Sequence, residues 1–185
     1  MNRHGLQMNQ DQHRMNEAGL NQSANYWIER LGLTAHPEGG WYKEVYRSKG
    51  IILANSLAEF GGTRNFSTSI YFLLAGNDFS AFHRIRSDEI WHFYDGSPVL
   101  ISSISPEGIL EQHLLGRNIE NNESLQVVIP AGWWFAAKIV VPDSFMLAGC
   151  AVAPGFDFND FELGQASELI AGYPQHRDII AQLTR

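Results

Sequence analysis

The stretch from Phe79 to Gly96, F-S-A-F-H-R-I-R-S-D-E-I-W-H-F-Y-D-G, constrains the fold more than any other part of the chain. It is dense in aromatic and branched residues and breaks once, at Arg86-Ser87-Asp88, which predicts a hairpin of two strands. Residues two apart on a strand share a face. Phe79, Ala81, His83 and Ile85 are therefore expected on one face, and Ser80, Phe82, Arg84 and Arg86 on the other. An imidazole, His83, and a carboxylate, Glu89, would then meet across neighbouring strands as an acid/base pair or as half of a metal site.

Similar segments recur on both sides. Strands are predicted at Trp41 to Arg47, Thr68 to Leu74, Pro98 to Ile104, Ile109 to Leu115, Leu125 to Ile129 and Phe145 to Val152. A further apolar run, W-W-F-A-A-K-I-V, follows the turn Pro130-Ala131-Gly132. At least eight closely spaced strands with Gly and Pro turns predict an all-β sandwich or barrel. Asn25 to Leu33 predicts a short helix, with Asn25 as cap, Gly32 as stop, and Trp27, Ile28 and Leu31 as its apolar stripe. Gln165 to Ala171 and His176 to Leu183 predict two C-terminal helices over the outside of the barrel. Residues 48–63 are expected to form a loop.

At 185 residues the chain is long enough for one domain with a substantial core. Residues 1–24 stand apart as a polar arm, since eight of the 24 are Asn or Gln and none is aromatic. The expected single domain is therefore 25–185. The formal net charge of −7 and the lack of a basic stripe argue against nucleic acid and anionic membranes as partners. Cys150 is the single cysteine, so no intramolecular disulfide forms, and a buried inert thiol is expected. No apolar run approaches the roughly 20 residues of a membrane span, and the N-terminus lacks the core of a secretion signal. A cytoplasmic location is the expectation.

The hairpin resembles the first motif of the cupin superfamily: His83, Glu89 and Gly96 fall at its spacing, while Ile85 replaces its second histidine. The second cupin motif is matched at Pro130 and Gly132, but Ser124, Phe135 and Ile139 stand where it has glycine, histidine and asparagine. A group of small uncharacterised single-domain cupins is more similar still. Its marks are L-G-L-x-x-H-P-E-G-G-W-Y (Leu31 to Tyr42), S-I-Y-F-L-L (Ser69 to Leu74), V-I-P-A-G-W-W-F-A-A (Val128 to Ala137) and P-G-F-D-F-N-D-F-E-L (Pro154 to Leu163). The resemblance covers about Tyr26 to Thr184. It implies an all-β cupin fold, the double-stranded β-helix or jelly-roll barrel, with a short N-terminal helix and C-terminal helices. It also implies a homodimer and a small-molecule ligand in the barrel, and the group has no assigned activity.

Three readings of the His83–Glu89 pair stand at this level. In the first it is metal-free acid/base machinery of an isomerase or epimerase acting on a sugar-like or nucleotide-linked substrate. His83 is then the base, Glu89 orients it or donates, and Tyr71 or Tyr46 is a phenolic partner. In the second the pair merely satisfies itself inside a ligand-binding or inert barrel. In the third a divalent metal sits on His83, Glu89 and, through a local bulge, His92, as in cupin oxygenases or germin-like enzymes. Ile85 and Phe135 remove two of the ligands that reading needs, so no cofactor is the expectation. Trp91, Trp133 and Phe135 are expected either to wall the ligand cavity or to fill the barrel, and Trp134 to pack outside it, at a dimer interface. Glu38 and His36 are expected to serve the turn at His36 to Gly40. Asp157, Asp160 and Glu162 are expected in solvated or capping roles.

Overall fold

The computed structural model describes residues 23–56 and 58–185. Nearly all of the expected polar arm lies outside these residues. Helix α1 (Ala24–Leu31) is capped not by Asn25 but by Ser23, whose Oγ accepts from Tyr26 N at 3.3 Å. Gly32 ends it in the left-handed region. Strands β1 (Thr34–Ala35), β2 (Trp41–Arg47), β3 (Ile51–Ile52), β4 (Arg64–Asn65), β5 (Thr68–Ala75), β6 (Phe79–Arg84) and β7 (Asp88–Gly96) follow. Then come β8 (Val99–Ile104), β9 (Leu110–Leu115), β10 (Glu123–Ser124), β11 (Gln126–Ile129), β12 (Trp134–Ile139), β13 (Phe145–Ala153) and β14 (Glu162–Leu163). Helices α2 (Ala166–Gly172) and α3 (Arg177–Gln182) end the chain. The expected loop at 48–63 also holds β3 and two short 3-10 turns.

Two six-stranded sheets face each other, in the orders β1-β2-β5-β13-β7-β11 and β10-β9-β8-β12-β6-β14. Between them lies the main core, with Phe72, Leu74, Trp91, Val99, Ile101, Phe135 and Met146. Each sheet also carries an apolar patch on its outer face. Leu73 and Leu147 pack under Trp27, Ile28 and Leu31 of α1. Trp134, Phe82 and Ile104 pack under Leu169, Ile180 and Leu183 of α2, α3 and the C-terminal segment. Trp134 is therefore outside the barrel as expected, but helices of its own chain cover it rather than a partner.

The expected hairpin is not one. β6 pairs with β12 and β14 in one sheet, and β7 with β13 and β11 in the other. Residues 85–87 instead carry the chain from sheet to sheet, and Ser87 Oγ donates to Pro154 O at 2.8 Å. Alternation tells which residues share a face of a strand but not which strand lies beside it, so the two halves of the motif face each other across the barrel.

Three bulges interrupt the ladders, one of them on β7 between Phe93 and Asp95, and the other two set which side chains enter the cavity. On β6, His83 is opposite Phe135 and Ser80 is opposite Ala137, so three steps on β6 answer two on β12. Ser80 and His83 consequently both point inward, against the expected alternation, while Phe79 and Phe82 join the outer cluster. On β2, Glu44 is opposite Ile70 and Tyr46 is opposite Ser69. The extra residue, Val45, sends Tyr46 outward and brings Arg47 in.

Candidate functional site

A cavity of about 510 Å³ opens at one end of the barrel. β2 contributes Tyr42, Glu44 and Arg47 to its lining, and β5 contributes Thr68, Ile70 and Phe72. Glu89 and Trp91 come from β7, Cys150 and Val152 from β13, His83 from the facing sheet and Ile85 from the crossover after it. His36 and Glu38 enter from the β1–β2 turn, and Phe156, Phe158 and Phe161 from the loop before β14. That aromatic loop is held down by a buried ion pair in which both Nε and Nη2 of Arg64 donate to the Asp160 carboxylate, at 2.6 and 2.7 Å. Asp160 is thus an anchor rather than a solvated residue.

His83 and Glu89 both line the cavity, but the partner of His83 is Glu38. Nε2 of His83 lies 3.1 Å from Oε2 of Glu38. Nδ1 of His83 lies 2.8 Å from the carbonyl of Ala81, so Nδ1 carries a hydrogen and donates it. The β6 bulge makes this possible, because it frees both polar groups of Ala81 from the ladder. Ala81 C=O receives His83, and Ala81 N–H donates to Glu38 O at 2.8 Å. Ser80 Oγ, turned inward by the same bulge, donates to Glu38 Oε1 at 2.8 Å. His36 Nδ1 lies 3.3 Å from Glu38 Oε2.

Glu38 owes its position to the backbone of its turn. Gly39 and Gly40 have φ of +111° and +74°, and a Cβ on Gly39 would lie 2.2 Å from Phe79 O. Gly40 N donates to Asp78 Oδ2 at 2.8 Å, and Arg185 Nε donates to the carbonyl of Glu38 at 3.3 Å. The turn is fastened on its far side, and the carboxylate projects into the barrel.

The two buried carboxyls are displaced in opposite directions. Burial would raise the pKa of Glu38, but His83, His36 and Ser80 together reverse this and hold it below the usual carboxylate value. Glu89 is pushed up to about 8, first by burial and then by the nearby charge of Glu38, against smaller opposing effects from Cys150 and Trp91. Burial pulls the His83 imidazole down, while Glu38 resists. With Nδ1 of His83 already donating, the short contact between Nε2 and Oε2 needs one proton between them. Of the two carboxyls, Glu38 is the one held ionised, beside His83, and Glu89 is the one held protonated.

The other expected site residues divide. Trp91 lines the cavity. Phe135 sits behind His83, ring centroids 4.0 Å apart, and fills the core instead of walling the cavity. Trp133 stays in the turn before β12 and packs on the core without reaching the cavity. Tyr71 points outward, because it alternates with the inward Ile70 and Phe72, and its ring meets Tyr94. Tyr46 is exposed through the β2 bulge. His92 faces outward, bonded to Gln126 at 2.7 Å, since no bulge occurs between it and Glu89. Arg84 pairs with Glu162 outside the barrel, and Arg86 reaches the carbonyl of Glu59. Neither reaches the cavity. Sequence reasoning missed Glu38, Ser80, Tyr42 and Arg47. The signal for Glu38 was an acid flanked by Pro37 and two glycines in a loop, the kind of place where functional side chains collect.

A metal of the kind common in this fold does not fit these residues. Ile85 and Phe135 offer no donor, and both nitrogens of His83 are occupied. Among the described residues, no group of three or more His, Cys, Asp or Glu side chains could hold a metal ion.

A double-stranded β-helix with its site inside one end of the barrel defines the cupin class of proteins. The family described as cupin superfamily (DUF985) matches residues 25–164, and the chain belongs to it. An uncharacterised protein of Saccharomyces cerevisiae is 31% identical over 154 residues, covering 77% of this chain and 74% of its own. A protein of Shewanella oneidensis of known crystal structure is 40% identical, covering 89% of this chain and 98% of its own, with a TM-score of 0.80. A hypothetical protein from Leishmania major is 34% identical, covering 88% and 99% of the two chains, with a TM-score of 0.81. The capsular polysaccharide assembling protein CapF of Staphylococcus aureus shares the fold alone, at 12% identity and a TM-score of 0.51 over 70% of this chain and 33% of its own. No helix of the described residues is long and apolar enough to cross a membrane.

Proposed function

We propose that this protein is a metal-independent acid/base enzyme of the isomerase or epimerase type, acting on a small sugar-like substrate held in the barrel. The observation that carries this reading is the pair of carboxyls, Glu38 and Glu89, lining one cavity with pKa values displaced in opposite directions. Two such groups in one pocket are the usual mark of an assigned base and an assigned acid. Glu38 Oε1 keeps a lone pair beyond the one Ser80 occupies and serves as the base. His83, with both nitrogens engaged, is a positioning residue for Glu38 and balances its charge, which moves the base from His83 to its partner. Glu89 is the acid. In the step, a C–H bond next to a carbonyl breaks, its proton goes to Glu38, and its electron pair forms a C=C bond. The carbonyl π pair moves to oxygen, which takes the proton of Glu89. Glu38 then returns the proton to the former carbonyl carbon, while the hydroxyl on the neighbouring carbon gives its proton to Glu89 and becomes the new carbonyl, which completes an isomerisation.

The cavity volume suits a small ligand, and the aromatic side chains at its mouth suit the apolar faces of a sugar ring or chain. The test is incubation in heavy water with a panel of sugars and sugar-nucleotides, read by NMR as deuterium entering beside the carbonyl. Exchange is expected with at least one compound, and Glu38→Gln and Glu89→Gln should each slow it by about a hundredfold or more. Compounds that bind but never exchange would sink the enzyme reading.

A further inference from the structure

Among the described residues two buried side-chain polar atoms lack a hydrogen-bond partner, Nε1 of Trp27 and Nε1 of Trp91. Trp27 belongs to α1, outside the barrel. Trp91 lines the cavity and is only 1% exposed. A buried N–H without a partner destabilises the fold unless something else satisfies it, and native structures hold few of them. The barrel has a ready alternative, since phenylalanine fills neighbouring core positions at Phe72 and Phe135. An indole at position 91 keeps a donor that reaches the neighbouring Glu89 carboxyl only weakly, short of a full hydrogen bond.

Its surroundings indicate what that donor is for. Trp91 and Glu89 are two apart on β7, so they stand side by side on its inner face. Cys150 is directly opposite Trp91 on β13, and its thiol, buried and held protonated, offers no anion to take the indole hydrogen. Glu38, the anionic acceptor of the cavity, holds Ser80 and His83, and the indole N–H does not reach it. The Trp91 N–H and the Glu89 carboxyl therefore form one donor corner, and Glu38 forms the acceptor of the same cavity. An sp² oxygen has two lone pairs, one for each donor of such a corner.

We propose that Trp91 Nε1–H is a catalytic donor that, together with the Glu89 carboxyl, grips the carbonyl oxygen of the substrate. The substrate class is thereby an open-chain or keto carbonyl compound bearing a C–H beside the carbonyl, such as an aldose, ketose or keto sugar. A closed glycoside ring has no sp² oxygen to place in the corner. This rests on the acid/base reading above. As the C–H proton leaves to Glu38, negative charge gathers on the carbonyl oxygen, and a preset pair of donors stabilises that oxygen more than the starting carbonyl.

The test uses 4-nitrophenol, whose coloured phenolate presents an anionic oxygen on a flat ring. Absorbance titration should show uptake of the phenolate by the wild-type protein, and Trp91→Phe, which keeps a flat aromatic ring and removes only the N–H, should weaken it about tenfold or more. In the wild type itself, one of the five indole N–H resonances should move downfield on saturation, a readout that does not depend on the variant folding. No uptake by the wild type, equal uptake by Trp91→Phe, or five unmoved indole resonances each overturn the proposal. The outcome also separates it from the reading it rests on. Trp91-dependent uptake without deuterium exchange into any sugar leaves the donor corner standing and removes the isomerase. Deuterium exchange that Trp91→Phe leaves unchanged keeps the isomerase and removes Trp91 from its machinery.

Discussion

Strand β5 runs from Thr68, Ile70 and Phe72 at the open end of the barrel to Leu74 at the closed end, and β13 runs the other way, from Met146 and Ala148 to Cys150 and Val152. The same two strands therefore build two interiors. At the closed end Leu74 and Met146 are fully buried against Val99 and Leu115 from the facing sheet, hydrocarbon against hydrocarbon. At the open end the facing residue is His83, the roof is an aromatic loop, and the space between is left for a ligand. The closed end is held by packing. The open end is held by hydrogen bonds and ions, namely Ser80 and His83 on Glu38 and Arg64 on Asp160. Apolar packing and the polar cavity occupy opposite ends of one β-sandwich, and the contrast can be broken at either.

The largest effect is expected at the ionic roof. Asp160→Ala leaves Arg64, 6% exposed, without its countercharge, and should lower stability by about 4 kcal/mol in a denaturant titration. A loss below about 1 kcal/mol would show that Arg64 escapes to water and that the roof is not anchored as described. Next comes a matched pair of truncations on β5. Leu74→Ala at the closed end should cost about 3 kcal/mol, because the filled core cannot close the hole. Ile70→Ala at the open end should cost about 1 kcal/mol, because its hole merges with space that already exists. Equal losses would mean that the two ends are packed alike. The last test reads a slope. Folded Glu89 keeps its proton up to about pH 8, while the unfolded carboxyl releases it near 4.5. Stability linked to Glu89 is fully present below the unfolded value and is lost as pH rises through about 8, at up to about 1.4 kcal/mol per pH unit. The groups around it, Glu38, Cys150 and Trp91, stay in place in Glu89→Gln, which should lack this slope. His83, whose pKa is lowered, acts with the opposite sign below about 6.5, but it cancels in the difference between the two proteins. If that difference does not shift towards the variant between pH 5 and 8, Glu89 is not held protonated.

Most strands were legible because each of their segments buries one face, and burial is what alternation reports. Thr68 to Leu74 and Trp41 to Arg47 emerge almost unchanged as β5 and β2. The placement of Glu89 and Trp91 inside the barrel followed from the same rule. What alternation could not reveal was the neighbour. His83 and Glu89 lie close in sequence, yet they belong to different sheets, and the true partner of His83 arrives on a distant turn. A single inserted residue on β6 or β2 also leaves no mark in the pattern of apolar residues, yet it decided whether Ser80 and Arg47 point in or out. The outward turn of Tyr71 and His92 shows the converse. Both followed strict alternation from inward neighbours, and only a chemical preference for phenol and imidazole had placed them inside.

The Gly39–Gly40 turn has a consequence for anyone who wishes to recut this pocket. The walls rest on strand positions such as Ile70 and Val152, where side chains border the cavity and can be exchanged for larger or smaller ones. The turn permits no such freedom, since Phe79 O lies where a side chain on Gly39 would begin and Leu73 O lies 2.7 Å from a Cβ on Gly40. Libraries that diversify the walls would therefore vary which molecule enters while the placement of Glu38 stays constant. In this barrel the lining of the cavity can be altered without moving the Glu38 carboxylate.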